Sequence, residues 1–182
     1  MNIFILSTDP IEAAQQYCDK HIVKMVVELY QQMGSAVLRH GATPEDMPLT
    51  AKGTPLKGGH KNHPCTRWVG DTKKNYEWAS IHALELCNEY TRRYCKIHSC
   101  QKGIEKLCNM DYLIPDGKFT DQPCAMPDQY KSKNVVESYR TYYIKEKSNF
   151  AKWEKVRPTP SWFIEGISRF SSNYQQPTMV ED

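Results

Sequence analysis

The chain has 182 residues, 40% of them apolar and 25% charged, with 24 Lys and Arg set against 21 Asp and Glu. That length suits one core and is short for two ordinary domains, and the composition is that of a globular domain rather than a disordered or fibrous chain. The net charge of +3 permits a polyanionic partner without demanding one. No apolar run reaches the ~18 residues of a membrane span, and the opening segment shows no basic leader followed by a small-residue cleavage site, so a cytoplasmic protein without a membrane partner is expected.

Residues 2–7 form a short apolar run that reads as an extended segment entering a helix. Asp9 is a good N-cap and Pro10 a good first helical residue. Ile11, Ala14, Cys18, Ile22, Met25, Leu29, Met33 and Ala36 then recur every three or four residues, which predicts one amphipathic helix running to about residues 39–41, weakened at Gly34. Residues 41–64, rich in Gly and Pro, predict a long ordered loop, of the kind that tends to carry function.

Asp71 or Thr72 caps a second long helix, with Tyr76, Ala79, Ala83, Leu86, Tyr90 and Tyr94 on one stripe and Arg92, Arg93 and Lys96 near its C-terminal end. A shorter helix is predicted over 101–110, followed by a Pro-containing loop. Asn134 caps a last helix that carries Val135, Tyr139, Tyr142 and Tyr143 and continues towards Phe150 and Trp153. The expectation is a mostly helical, all-α single domain over 1–163, with a short extended N-terminal segment, long ordered loops and a polar C-terminal tail over 164–182.

The seven cysteines are odd in number and scattered, which suits reduced thiols. Cys95-x-x-His98-x-Cys100 with Cys108 downstream is the nearest thing to a metal pattern, but its spacing fits no standard finger, so no metal is assigned. A phosphate-binding Gly loop, a dinucleotide fingerprint, a Ser nucleophile elbow and a His-Glu-x-x-His motif are all missing, and no cofactor is assigned.

Three constellations remain. On the first helix, Tyr17, His21, Lys24, Glu28, Gln31 and Ser35 line a polar flank beside the apolar stripe. A carboxylate set against an apolar wall gains proton affinity and serves as a general acid or base, whereas the plainer reading is a solvated face with a Lys24–Glu28 bridge. The second is His60-Lys61-Asn62-His63-Pro64-Cys65-Thr66-Arg67-Trp68, with donors and a guanidinium suited to phosphate or base edges, followed by Asn75, Tyr76 and Trp78, whose amide and aromatic groups suit reading a base; in the plainer reading Trp68, Tyr76 and Trp78 belong to the core and Asn62-His63-Pro64 is only a turn and cap. The third is the Tyr-rich basic stretch containing Arg140 and Lys145 to Lys147, either a backbone groove or a solvated face.

The stretch Asp19-Lys20-His21-Ile22-Val23-Lys24-Met25-Val26-Val27-Glu28-Leu29 resembles the first helix of the bacteriophage pyrimidine-dimer DNA glycosylase family, also called endonuclease V, and its bacterial relatives. An acidic residue, a His two positions later and the catalytic Glu seven beyond that His fall in the same order, which places the catalytic carboxylate at Glu28. Lys61-Asn62-His63-Pro64 is similar to a segment of the bacterial relatives, and the helix that follows, ending Glu89-Tyr90-Thr91-Arg92-Arg93, takes the corresponding place. Arg157-Pro158-Thr159-Pro160-Ser161-Trp162 is similar to a family ending of Arg-Pro-Thr-Trp.

The resemblance implies an endonuclease-V-like helical domain that flips a nucleotide out of the duplex. In such a domain the N-terminal amine attacks the sugar C1′ to form an imine, and the Glu assists base loss and strand cleavage. The chain departs from the family at Asn2, which is bulky enough to keep Met1 in place, and at Val27 and Gln31, which stand where the family has arginines.

The expected function is therefore a phage-type nucleotide- or DNA-directed enzyme acting at a glycosidic or phosphodiester bond. Glu28 is its acid or base, His21 and Lys24 orient and tune it, and the Met1 amine, Lys20 or Lys24 is the nucleophile if an imine forms. Asn62, His63 and Arg67 hold base or phosphate, joined on the binding side by Asn2, Lys20, Asn75, Tyr76 and Arg140. The partner is DNA or a small nucleotide ligand. Two alternatives are a binding protein that sequesters a host nucleotide signal and a DNA base-modifying transferase.

Overall fold

The computed structural model describes residues 2–172, and among them every regular element is helical: α1 Pro10–Gln15, α2 Asp19–Arg39, α3 Pro64–Asp71, α4 Lys73–Tyr94, α5 Gln101–Cys108, α6 Val135–Lys147 and α7 Ser161–Ser172. The all-α expectation holds. Helix α2 lies against α3, α4 and α5, while α1 crosses α4 and α6 packs on α7. The core runs along the predicted stripe of α2, with Ile22, Val26, Met33 and Val37 fully buried, and meets Tyr76, Ala79, Ala83 and Leu86 of α4.

The predicted caps are where the sequence puts them. Asp9 accepts from the Ile11 and Glu12 amides, Thr72 from Asn75, and Asn134 from Val136 and Glu137. Each satisfies amides that the first helical turn leaves without a partner.

The first helix is broken where one was expected. Cys18 is extended, and the carbonyls before it turn outward: Arg93 donates to Gln15 O at 2.8 Å and to Tyr17 O at 2.8 Å, and Trp153 Nε1 donates to Gln16 O at 3.1 Å. Side chains from distant parts of the chain thus take bonds that the next helical turn would have used. Gly34 does not interrupt α2. Its missing Cβ admits Leu56, whose Cδ2 would stand 2.6 Å from a Cβ at that position.

The extended N-terminal segment is buried without a sheet partner, Ile3, Phe4, Ile5 and Leu6 all being core residues. Side chains satisfy its backbone instead. The Tyr17 hydroxyl accepts from Phe4 N and donates to Phe4 O, the Arg140 guanidinium donates twice to Leu6 O, and Trp78 Nε1 donates to Thr8 O.

Residues 41–63 form the predicted long loop, anchored by buried Ala42, Met47 and Leu56. The helix expected from residue 72 is preceded by a separate one, α3, which is capped by the His63 ring; extended Thr72 divides the two. Helix α6 ends at Lys147 rather than continuing to Phe150 and Trp153. The boundary expected at residue 163 falls inside α7, which reaches Ser172 and buries Phe163. The remainder of the expected tail, 173–182, lies outside the described residues.

A buried ionic cluster ties these parts together. Glu89, with its side chain fully buried, takes Arg93 Nη2 at 2.8 Å and Arg157 Nη2 at 2.8 Å and also pairs with Arg92, while Arg93 reaches Asp19 at 3.1 Å. Burial by itself would raise the Glu89 carboxyl; hydrogen bonds and charge from Arg157 and Arg93 outweigh it and hold the carboxyl below its ordinary value.

Candidate functional site

Glu28 sits midway along α2, 8% exposed, on the flank that faces the start of α3. Lys24 Nζ stands 3.2 Å from Glu28 Oε1, one turn earlier, with the lysine side chain 67% exposed and the glutamate side chain 11%. This is the predicted bridge, but with its anionic end in the protein and its cationic end in solvent.

Tyr17 and His63 lie within the field of that carboxylate. Burial, chiefly, raises the Tyr17 hydroxyl far above its ordinary value, and the Glu28 charge adds to the effect, so Tyr17 remains a neutral donor. Burial lowers the His63 ring, with the Glu28 charge opposing it. His63 Nδ1 accepts from the Cys65 amide at 3.2 Å, which puts the neutral ring's proton on Nε2.

His21 lies two turns from Glu28 on α2, about 10 Å along the axis. Its Nδ1 is 2.7 Å from the Tyr143 hydroxyl, which also accepts from Cys18 N, and its ring stacks on Phe4 at 4.9 Å. Burial, reinforced by Lys147, Lys24 and Lys20, lowers the ring to about 3. The structure therefore places His21 as a neutral ring inside an aromatic cluster, not against the Glu28 carboxylate. Lys20 is exposed and lies over the Phe150 ring at 4.7 Å.

Beyond Glu28, a cleft of about 470 Å³ opens between the C-terminal half of α2, residues 57–62 and the start of α3. Asn62 and Arg67 line it together, while His63 lies outside its lining and within the field of Glu28. Asn2 is half-buried beside a void of only about 10 Å³ with Tyr17 and Gln32, space for one water at most.

Three expected binding residues lie elsewhere. Asn75 is fully buried, its Nδ2 donating to Trp68 O and to Thr120 Oγ1 and its Oδ1 accepting from Thr120 N, so it fastens the 114–127 loop to α4. Tyr76 is likewise buried and donates to Leu107 O at 2.8 Å. Tyr76 thus takes the core alternative that helical spacing had left open, and Asn75, expected to bind a base, is a core residue as well. Arg140 uses its guanidinium on Leu6 O and packs on Trp162 at 5.3 Å, beside a separate groove. Met1 lies outside the described residues.

Two groupings of residues are not legible in the sequence. Lys57 and Thr66 line the cleft with Ser35 and Arg39. Ser35 and Arg39 do share an i, i+4 face on α2, a legible signal, but nothing local tells that the Gly-rich loop folds back onto that face. Arg157 and Glu89, some 68 residues apart in sequence, meet only in the fold.

His98 accepts from the Cys100 amide at Nδ1 and sets Nε2 3.3 Å from Val23 O; among the described residues no three His, Cys, Asp or Glu side chains are grouped to hold a metal ion. No helix among them is long and apolar enough to cross a membrane.

The all-helical scaffold thus carries a nearly buried carboxylate with an amine beside it and, further along the same helix, a cation-lined cleft. The chain belongs to the pyrimidine dimer DNA glycosylase family, whose model matches residues 1–102. The matched part spans α1 to α4 and so contains Glu28, Lys24 and His63, whereas Arg140 and Arg157 fall beyond it. No curated protein and no solved structure matches the chain.

Proposed function

We propose that the protein releases a base from DNA at the glycosidic bond, with Glu28 as the carboxylate that moves the proton. The observation that carries this reading is the pairing of Glu28, nearly buried, with an amine at 3.2 Å, at the position where the resemblance puts the catalytic Glu and inside the region that matches the family.

The chemistry follows from that pairing. An ammonium is no nucleophile; Glu28 takes its proton, and the freed amine adds to C1′ as the C1′–N bond breaks. The departing base leaves with the bonding electrons and takes the proton back from Glu28. Ring opening moves a proton from the amine nitrogen to O4′ and leaves the protonated imine. The resemblance makes the N-terminal amine the nucleophile, which in this chain is that of Met1. Lys24 is the amine that reaches Glu28 among the described residues, and Lys20 is the third candidate. His63 Nε2–H is a neutral donor within the field of the carboxylate, fit to hold a flipped nucleotide or the departing base.

The test is mass spectrometry of duplexes carrying a single pyrimidine lesion, and of free nucleotides, after incubation with wild type and Glu28→Gln. Borohydride trapping and peptide mapping then locate the adduct on Met1, Lys20 or Lys24. Base loss by wild type alone, with a trapped adduct, is the expected result. Intact nucleotide that copurifies with both proteins would instead favour a sequestering protein and sink the enzymatic reading.

A further inference from the structure

The cleft beyond Glu28 is a built site and not a gap between side chains. Arg39, Lys57, Lys61 and Arg67 contribute four cations to its wall, and among the described residues no carboxylate lines it. Arg39 is already oriented by Asp71 Oδ1 at 2.9 Å and by Arg67 O at 3.2 Å. Lys57, Lys61 and Arg67 have no carboxylate within 4.0 Å among the described residues, so their charge faces the opening unopposed.

A second and independent observation points into the same space. Thr66, on the first turn of α3, lines the cleft and is 3% exposed, yet its hydroxyl oxygen is buried with no hydrogen-bond partner among the described residues. Buried polar groups are almost always paired, so an orphan hydroxyl on the wall of a cationic cleft marks the place of a missing acceptor.

The loop that supplies the two lysines is held in place. Ser35 Oγ donates to Gly59 O at 2.9 Å and accepts from Gly59 N at 2.8 Å. Gly58 takes φ +69° and comes so close that a Cβ there would stand 2.4 Å from Ser35 Oγ. The backbone that carries the two lysines is therefore positioned before any ligand arrives, which removes part of the entropic cost of binding.

We infer that this cleft is a phosphate-binding subsite, holding a phosphodiester of the DNA strand that flanks the nucleotide addressed at Glu28. Ser35, on the cleft wall, lies seven residues beyond Glu28 on the same helix, about 10 Å along its axis. The inference rests on the reading that the substrate is DNA. The phosphate of a free nucleotide is the other source of the same chemistry.

The experiment is fluorescence anisotropy with an undamaged labelled duplex over a salt series. Wild type, the Lys61→Ala/Arg67→Ala double variant, Thr66→Val and Glu28→Gln are compared, with inorganic phosphate and a 5′-mononucleotide as competitors. Each cation lost should lower the slope of log affinity against log salt by about 0.9 and together the two should weaken binding roughly tenfold at 0.1 M salt. Thr66→Val, which keeps the charge, should weaken binding about threefold to tenfold with the slope unchanged. The same affinity and slope in the double variant as in wild type would overturn the subsite, and a mononucleotide that competes at concentrations as low as unlabelled duplex would overturn the strand assignment. Glu28→Gln separates the two proposals, because it should abolish base release while leaving affinity and salt slope at the wild-type values.

Discussion

The Tyr17 hydroxyl accepts from the Phe4 amide at 2.8 Å and donates to the Phe4 carbonyl at 3.0 Å, so one side chain satisfies both backbone polar groups of a buried residue. A neighbouring strand would do the same in a sheet. Here a tyrosine from the α1–α2 junction holds the N-terminal segment beside the helix that carries Glu28.

Removal of that hydroxyl leaves a buried donor and a buried acceptor unpaired, each worth about 1–3 kcal/mol. Tyr17→Phe should therefore lower stability by at least ~1 kcal/mol, read as a fall in Tm of about 2–4 °C per kcal/mol for a chain of this size. A change under ~0.5 kcal/mol in urea unfolding would show that the segment is not held this way.

Glu28→Gln should cut single-turnover base release by about 10²- to 10⁴-fold, the range for a positioned proton-transfer group. Lys24→Met separates catalysis from stability. The lysine side chain is 67% exposed and its charge is screened by solvent, so urea unfolding should change by under about 1 kcal/mol while the rate falls at least ~tenfold. An unchanged rate in both variants would remove this pair from the chemistry.

The Glu89 cluster should behave as structure. Glu89→Ala takes from the buried Arg93 guanidinium one of its two carboxylate partners and leaves Asp19 as the other, and breaking a buried ion pair from one side costs about 3–5 kcal/mol. Arg157→Ala removes a partner that is about one-third exposed and should cost less. Equal and small losses for the two, measured by chemical denaturation, would contradict the burial-based ranking.

Acid should weaken the fold early, and the histidines set where. Burial lowers the His21 ring to about 3 and the His82 ring to about 4, so both stay neutral in the folded chain while unfolded rings titrate near 6.5. A lowered histidine means that the unfolded state binds the extra proton. Stability is thus complete above roughly pH 6.5 and falls below it by up to about 1.4 kcal/mol per pH unit for each ring, until the folded values are reached. The Glu89 carboxyl, held low in the folded state, adds its own loss only at still lower pH. Urea midpoints that stay level from pH 7 to pH 5 would contradict this.

Legibility in the sequence followed the range of the forces at work. The caps at Asp9, Thr72 and Asn134 and the stripes of α2 and α4 were readable because capping and helical periodicity act within a few residues. Glu28 was readable as a candidate for the same reason, since its spacing from His21 and Lys24 is a property of one helix. The break at Cys18 was not, because the bonds that end α1 come from Arg93 and Trp153, some 76 and 137 residues away from the carbonyls they take.

By itself, then, the sequence determined an all-helical chain, its long Gly-rich loop and the flank that carries Glu28, all of them consequences of local spacing and turn chemistry. Tertiary structure alone decided which polar side chains face a ligand. It sent Asn75 and Tyr76 into the core, where Thr120 and Leu107 use their polar atoms, and paired His21 with Tyr143. It also folded Lys57 and Lys61 onto Ser35 and Arg39 to form one cationic cleft. A side chain's accessibility depends on what packs over it, and that is fixed by contacts between residues far apart in the chain.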